Sequence, residues 1–281
     1  MKRALAVVLG VLIGGVTGSQ AVTTFSVTNN NSNITVDAVP VPGFNYGGLI
    51  GWEVDPPNTG IRSHVEQQWY WYRLPGMNRE YAVSDAAGGL TYVDGLVSGN
   101  QIAVSFRTNG LFIVELEYTL NGGAPGSGQS SLTEIITFRN LTSEPLSLTW
   151  FEFDDFDLNY TLNNDTASGG VNGITQVDPS GVTLKVTHDV TPNRYQISSA
   201  PGFPDNPIFD DLEDDNVDDL DNSGSPTGPG LIRFGFQWEL ELPVGQDYSI
   251  TVTKLIIPEP ATSLLVALAL AGLGAVARRR V

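Results

Sequence analysis

The segment Leu231–Leu242 alternates strictly. Ile232, Phe234, Phe236, Trp238, Leu240 and Leu242 are apolar, and Arg233, Gly235, Gln237, Glu239 and Glu241 stand between them. A period of two gives a strand one apolar and one polar face, and it cannot make a stripe on a helix. Such a strand has to bury its apolar face against a second layer. The same period recurs at Val182, Leu184 and Val186, set between Thr183, Lys185 and Thr187. Tyr248–Ile257 is apolar on both parities and is expected to run through the interior beside the C-terminal tail. Strands are also expected at 131–140 and 145–157, after a glycine-rich loop over 122–128. Along the second of these the apolar parity switches near Trp150, which calls for a bulge or for burial on both faces. Residues 201–230 form the longest irregular stretch. The expected fold is all-β: one large antiparallel β-sandwich over residues 22–257, with a dozen or more strands.

Residues 101–120 read as a hairpin around Asn109-Gly110. A two-residue loop would set Val104 opposite Glu115, an apolar face against an acidic one. A three-residue loop, Thr108-Asn109-Gly110, instead faces Phe106 with Phe112, Val104 with Val114 and Ile102 with Leu116. The second register is predicted, because a slip of one residue inverts every side chain.

Charge and redox chemistry narrow the function. The chain has no cysteine, so disulfides, thiolate metal sites and a cysteine nucleophile are excluded. The chain termini hold five of the 14 basic residues and one of the 31 acidic ones, which leaves the body at −21. Such a surface repels nucleic acid, so neither DNA nor RNA is expected as a partner. The two histidines, His64 and His188, are not in zinc-protease spacing, and no Gly-x-Ser-x-Gly elbow occurs.

Three constellations could carry chemistry. Asp210, Asp211, Glu213, Asp214, Asp215, Asp218, Asp219 and Asp221 crowd one loop. Calcium is the ion such oxygen ligands would take, with Asp214, Asn216, Asp218, Asp219 and Asp221 as candidates, although the spacing is not that of an EF-hand. In Ile61–Leu74, the parity of His64, Glu66, Gln68, Tyr70 and Tyr72 makes a polar, aromatic face able to stack on a sugar. The competing reading is an ordinary solvent face. Glu152, Asp154, Asp155 and Asp157 offer paired carboxylates, but no acid–base pair stands out, and surface acids are the expectation.

The termini read as addresses. Lys2-Arg3, the apolar run Ala4–Val16 and Ser19-Gln20-Ala21 have the three parts of a signal peptide, with cleavage expected between Ala21 and Val22. At the other end, Pro258-Glu259-Pro260 halts the body. An uncharged run over 264–277 follows, including Leu264, Leu265, Val266, Leu268 and Leu270, and then Arg278, Arg279 and Arg280. The run is short for about 30 Å of hydrocarbon, but terminal arginines reach the interface and favour the cytoplasmic side.

This tripartite tail resembles the PEP-CTERM sorting domain. The resemblance covers about a tenth of the chain and says nothing of the body. It implies recognition by an exosortase, a membrane protease that acts near the motif, in Gram-negative bacteria that make extracellular polysaccharide. The division expected is a signal peptide over 1–21, the body over 22–257 and a sorting and membrane-anchor segment over 258–281. The expected function is that of an exported surface or matrix protein without enzymatic activity and without a cofactor, calcium apart. Its expected partners are an exosortase, the inner membrane and extracellular polysaccharide. The alternative is a secreted carbohydrate-binding or carbohydrate-active protein.

Overall fold

The computed structural model describes residues 23–39, 47–55, 63–160, 163–200 and 207–258. In chain order the strands are β1 (Thr24–Asn29), β2 (Ser32–Asp37), β3 (Gly48–Val54), β4 (Val65–Arg73), β5 (Tyr81–Ala82), β6 (Leu90–Ser98), β7 (Gln101–Thr108) and β8 (Phe112–Gly122). They continue with β9 (Ser130–Asn140), β10 (Leu146–Phe156), β11 (Asp165–Gly170), β12 (Gly173–Val177), β13 (Thr183–His188) and β14 (Arg194–Ala200). A short helix, α1 (Pro207–Glu213), precedes β15 (Thr227–Leu242) and β16 (Asp247–Ile257).

All strands belong to one antiparallel sheet, in the order β1-β2-β3-β4-β10-β15-β11-β12-β13-β16-β9-β8-β7-β6, with β14 added on β15 and β5 on β4. The sheet turns back on itself along β15. The start of that strand pairs with β11, and the remainder pairs with β10 and β14. Side chains from the two halves then meet face to face. Phe138 of β9 stands edge-on to Trp150 of β10 at 4.8 Å, and Phe106 of β7 meets Trp69 of β4 at 5.9 Å. The Phe25 ring of β1 lies over Gly95 of β6, where any Cβ would collide with it, so the first and last strands also meet. Five tryptophans, Trp52, Trp69, Trp71, Trp150 and Trp238, are fully buried. A chain without disulfides gains most of its stability from apolar area of this kind.

The alternation in Leu231–Leu242 produces β15, and its six apolar residues are buried. The opposite face is wet only at Glu239 and Glu241. Arg233, Gly235 and Gln237 are buried as well: the segment from α1 to Leu220 covers Gly235 and Gln237, and Arg233 pairs with Asp155. Leu184 and Val186 point inward and Lys185 and Thr187 outward, as expected. The parity switch in β10 comes from burial on both faces: every residue from Trp150 to Phe156 is buried. A register shift against β4 does occur, but at Asp155/Phe156 rather than near Trp150.

The hairpin keeps the predicted faces and corrects the predicted register. Phe106 pairs with Val114, Val104 with Leu116 and Ile102 with Tyr118. The loop is Asn109-Gly110-Leu111. Thr108 Oγ1 accepts from Leu111 N at 3.1 Å and Phe112 N at 2.8 Å, and Gly110 takes φ 85°. These bonds keep Thr108 in the ladder and move the pairing two residues along. An even slip leaves Glu115 and Glu117 on the outer face.

Candidate functional site

A buried charge cluster joins the two halves of the sheet. Lys254 on β16 lies in the inward row with Ile250, Val252 and Ile256. Its Nζ donates to Glu134 Oε1 of β9 at 2.7 Å and to Glu152 Oε1 of β10 at 2.6 Å. Asp154 Oδ1 of β10 stands 3.1 Å away. The Tyr70 hydroxyl of β4 donates to Glu134 Oε2. His188 Nε2 is 3.7 Å from Glu152 Oε2, beyond hydrogen-bond reach. Burial raises the carboxyls of Glu134 and Asp154 despite the lysine beside them. Burial also opposes the charge on Glu152, but Lys254 and His188 outweigh it and hold that pKa down at about 2. For Lys254 the desolvation penalty is overcome by the surrounding carboxylates, which keep its pKa high. One ammonium among these acids is satisfied electrostatically only if some of them stay protonated.

A second acidic group lies at the end of β10. Arg233 Nε donates to Asp155 Oδ2 at 2.8 Å. Gln176 Nε2 donates to Asp165 Oδ2 at 2.6 Å. Burial pushes Asp155 up to about 6 against the pull of Arg233, and pushes Asp165 to about 6. Asp157 reaches about 7, because burial is reinforced by Asp155, Glu66 and Asp165. Carboxyls titrating near neutrality can hold or pass a proton. Glu152, Asp154, Asp155 and Asp157, expected as surface acids, are therefore buried: the first two stand beside Lys254, and Asp155 pairs with Arg233.

The sugar-stacking face is corrected. Tyr70 and Tyr72 are fully buried. Tyr70 stacks on Trp150 at 5.3 Å, and the Tyr72 hydroxyl donates to Gly88 O at 2.5 Å. Gln68 is buried too, and only Glu66 is exposed. Asn159 N donates to His64 Nδ1 at 3.1 Å, and burial, opposed by Asp178, lowers that histidine to about 4. The physical reason is position: β4 runs between β3 and β10, so this parity faces the other half of the sheet. The opposite parity is also covered, since Phe209 of α1 stands edge-on to Trp71 at 5.9 Å and Trp71 Nε1 donates to Glu213.

The candidate calcium residues have partners of their own. The acidic segment after α1 is a strap across β4, β14 and β15. Arg73 pairs with buried Glu80, and its other nitrogen donates to Asp219 Oδ1 at 2.7 Å. Gln237 Nε2 donates to the same oxygen at 2.7 Å, and Arg194 approaches Asp219 Oδ2 at 3.4 Å. Asp214 accepts from Asn216 N at 2.7 Å, Glu80 accepts from Asp218 N at 3.3 Å, and Asp221 accepts from Ser223 N at 3.0 Å. These acids serve the strap's own fold and its arginines. Among the described residues no three His, Asp or Glu side chains gather in a way that could hold a metal ion. A cleft of about 570 Å³ opens beside the strap, lined by Arg73, Met77, Thr149, Val217, Glu239 and Glu241 among others.

Of the sorting residues, Pro258 directly follows β16. Glu259, Pro260, Leu264, Leu265, Val266, Leu268, Leu270, Arg278, Arg279 and Arg280 lie outside the described residues, as do Ala21 and Val22. No helix among the described residues is long and apolar enough to cross a membrane. Sequence reading missed Lys254, Glu134, Arg73 and Glu80. For the first two a signal was available, a charge in the inward row of an otherwise apolar strand.

The fold is shared with several solved structures at very low identity. The GalM/aldose epimerase homologue from C. elegans aligns with a TM-score of 0.50 and 10% identity, over 84% of this chain and 99% of its own. The Slr1438 protein from Synechocystis sp. PCC 6803 gives 0.50 and 10%, over 89% and 100%. A bacterial glucoamylase complexed with acarbose gives 0.53 and 9%, over 86% of this chain but only 32% of its own. At such identities the likeness is one of fold. No curated protein matches the sequence. The tail is a different matter: residues 257–280 match the PEP-CTERM protein-sorting motif. The chain is thus an all-β body carrying a PEP-CTERM tail, and a tail of this class implies export and processing by an exosortase.

Proposed function

We propose that the protein is a non-enzymatic component of the cell surface or extracellular matrix, held at the inner membrane by its tail until an exosortase acts on it. The observation that carries this reading is the match of residues 257–280 to the sorting motif, directly after a strand locked in the sheet. The shifted acids of the body support a structural role, since Lys254 and its carboxylates are sealed from solvent. The test follows the mature C-terminus by mass spectrometry in the producing cell. The native chain should end near the Pro258-Glu259-Pro260 motif and reach the exterior. Replacing that motif and Arg278–Arg280 should leave the full tail attached and the body in the membrane fraction. An unchanged terminus and location in the variant would refute the proposal.

A second reading, a carbohydrate-binding body, draws on the cleft. Arg73, Thr149, Glu239 and Glu241 offer donors and acceptors suited to sugar hydroxyls, on a fold that an aldose epimerase homologue and a glucoamylase also use. A glycan array on the native protein, with Glu239→Ala as the control, separates the two readings.

A further inference from the structure

The Lys254 cluster contains more than an ion pair needs. Asp154 Oδ1 and Oδ2, Glu152 Oε2 and both His188 ring nitrogens are buried without a hydrogen-bond partner. Asp154 Oδ1 stands 3.1 Å from Nζ yet makes no aligned hydrogen bond with it. An amine beside a carboxyl at this range, both fully buried, is placed for attack on the carboxyl carbon. Lys254 belongs to the half of the sheet built on β16 and Asp154 to the half built on β10.

We propose that Lys254 and Asp154 join in an intramolecular amide, a covalent tie between the two layers made by the folded protein itself. Asp154 is the electrophile because neither of its oxygens accepts a hydrogen bond, whereas Glu134 accepts from both Tyr70 and Lys254. Burial pushes the Asp154 carboxyl up, toward the acid form that an amine can attack. Glu152 is the proton carrier by position: its Oε1 lies 2.6 Å from Nζ, and it is two residues from Asp154 on the same strand face. Glu134, held by Tyr70, is a positioning residue for the amine.

The step balances without a co-reactant. Glu152 takes one proton from the ammonium, and the freed lone pair attacks Asp154 Cγ. The Nζ–Cγ bond forms and the Cγ–Oδ2 bond breaks. Of the three ammonium protons, one stays on the amide nitrogen and one remains on Glu152. The third leaves with Oδ2 and the acid proton as water. Nothing is oxidised or reduced.

Mass spectrometry of the folded, full-length chain tests this directly. The native protein should weigh one water less than its sequence. Trypsin should fail to cut after Lys254, leaving the peptide that begins at Phe234 joined to Asn140–Lys185. Asp154→Ala and Glu152→Gln, each checked for fold by circular dichroism, should show the full mass and a normal cut. A folded native protein at full sequence mass, with separate peptides, overturns the proposal without recourse to any variant. A joined peptide in Glu152→Gln would overturn the role given to Glu152, and one in Asp154→Ala would overturn the choice of Asp154.

Discussion

Pro258, where the sorting tail begins, packs on Gly128: a Cβ placed at Gly128 would stand only 3.0 Å from the proline Cβ. The loop carrying Gly128 is pinned by Asp55. Its Oδ1 accepts from Gly126 N at 2.6 Å, and its Oδ2 accepts from Gly128 N at 2.6 Å and from Asn31 Nδ2 at 3.0 Å.

Asp55→Ala should free this loop. Burial works against the Asp55 charge, but the two backbone N–H groups and the Asn31 amide outweigh it and lower its pKa. Its stabilisation is therefore present above the unfolded carboxylate value and lost as pH falls through the folded one. A loss of about 1–3 kcal/mol at pH 7 is expected, judged by the strength of hydrogen bonds to charged groups. Amide exchange at Gly126 and Gly128, and proteolysis next to Pro258, should both speed up. Unchanged exchange would show that Asp55 does not hold the loop.

Arg73→Ala should strand Glu80. Burial already raises the Glu80 carboxyl while Arg73 restrains it. Without the guanidinium, ionising Glu80 in the fold becomes costlier, so the loss grows as pH rises. At pH 8 it should reach about 3–5 kcal/mol, the usual cost of breaking a buried pair. Urea denaturation at pH 5 should show a smaller loss, and Arg73→Ala with Glu80→Gln should recover part of the loss at pH 8.

Asp157→Asn should stabilise the protein in alkali. The carboxyl titrates near 3.8 when free and near 7 in the fold, so the native state holds the proton longer. Stability falls as pH rises between those values, and an amide cannot ionise. After allowance for solvent screening, a gain on the order of 1–2 kcal/mol is expected at pH 8. The gain should shrink at pH 5, which thermal unfolding at the two pH values will read.

Trp150→Ala should cost about 3–5 kcal/mol, since the indole packs on Phe138 at 4.8 Å and on Tyr70 at 5.3 Å. A cost below about 1 kcal/mol in chemical denaturation would mean that the two layers do not depend on this contact.

Strand identity was legible because burial writes a period of two into sequence. Leu184 and Val186 illustrate it, as does the apolar row of β15. What covers the second face was not legible, because covering elements arrive from far along the chain. Tyr70 and Tyr72 look like a stacking surface until Glu134 and Phe112, from β9 and β8, are placed against them. Asp219 looks like a calcium ligand until Arg73, 146 residues away, reaches it. The hairpin shows a finer limit: parity follows from the apolar pattern, whereas the register depended on the Thr108 hydroxyl. Lys254 is the instructive omission, because a lysine among Ile250, Val252 and Ile256 already announced a buried charge that required partners.

The strand that bears the sorting tail has β9 on one side and β13 on the other, paired from Asp247 to Ile256 and from Val252 to Ile257 respectively. Tension applied at Pro258 runs along β16 and loads both ladders in shear. Backbone hydrogen bonds must then give way together rather than unzip one by one, so the body can bear a mechanical pull that would peel off an edge strand.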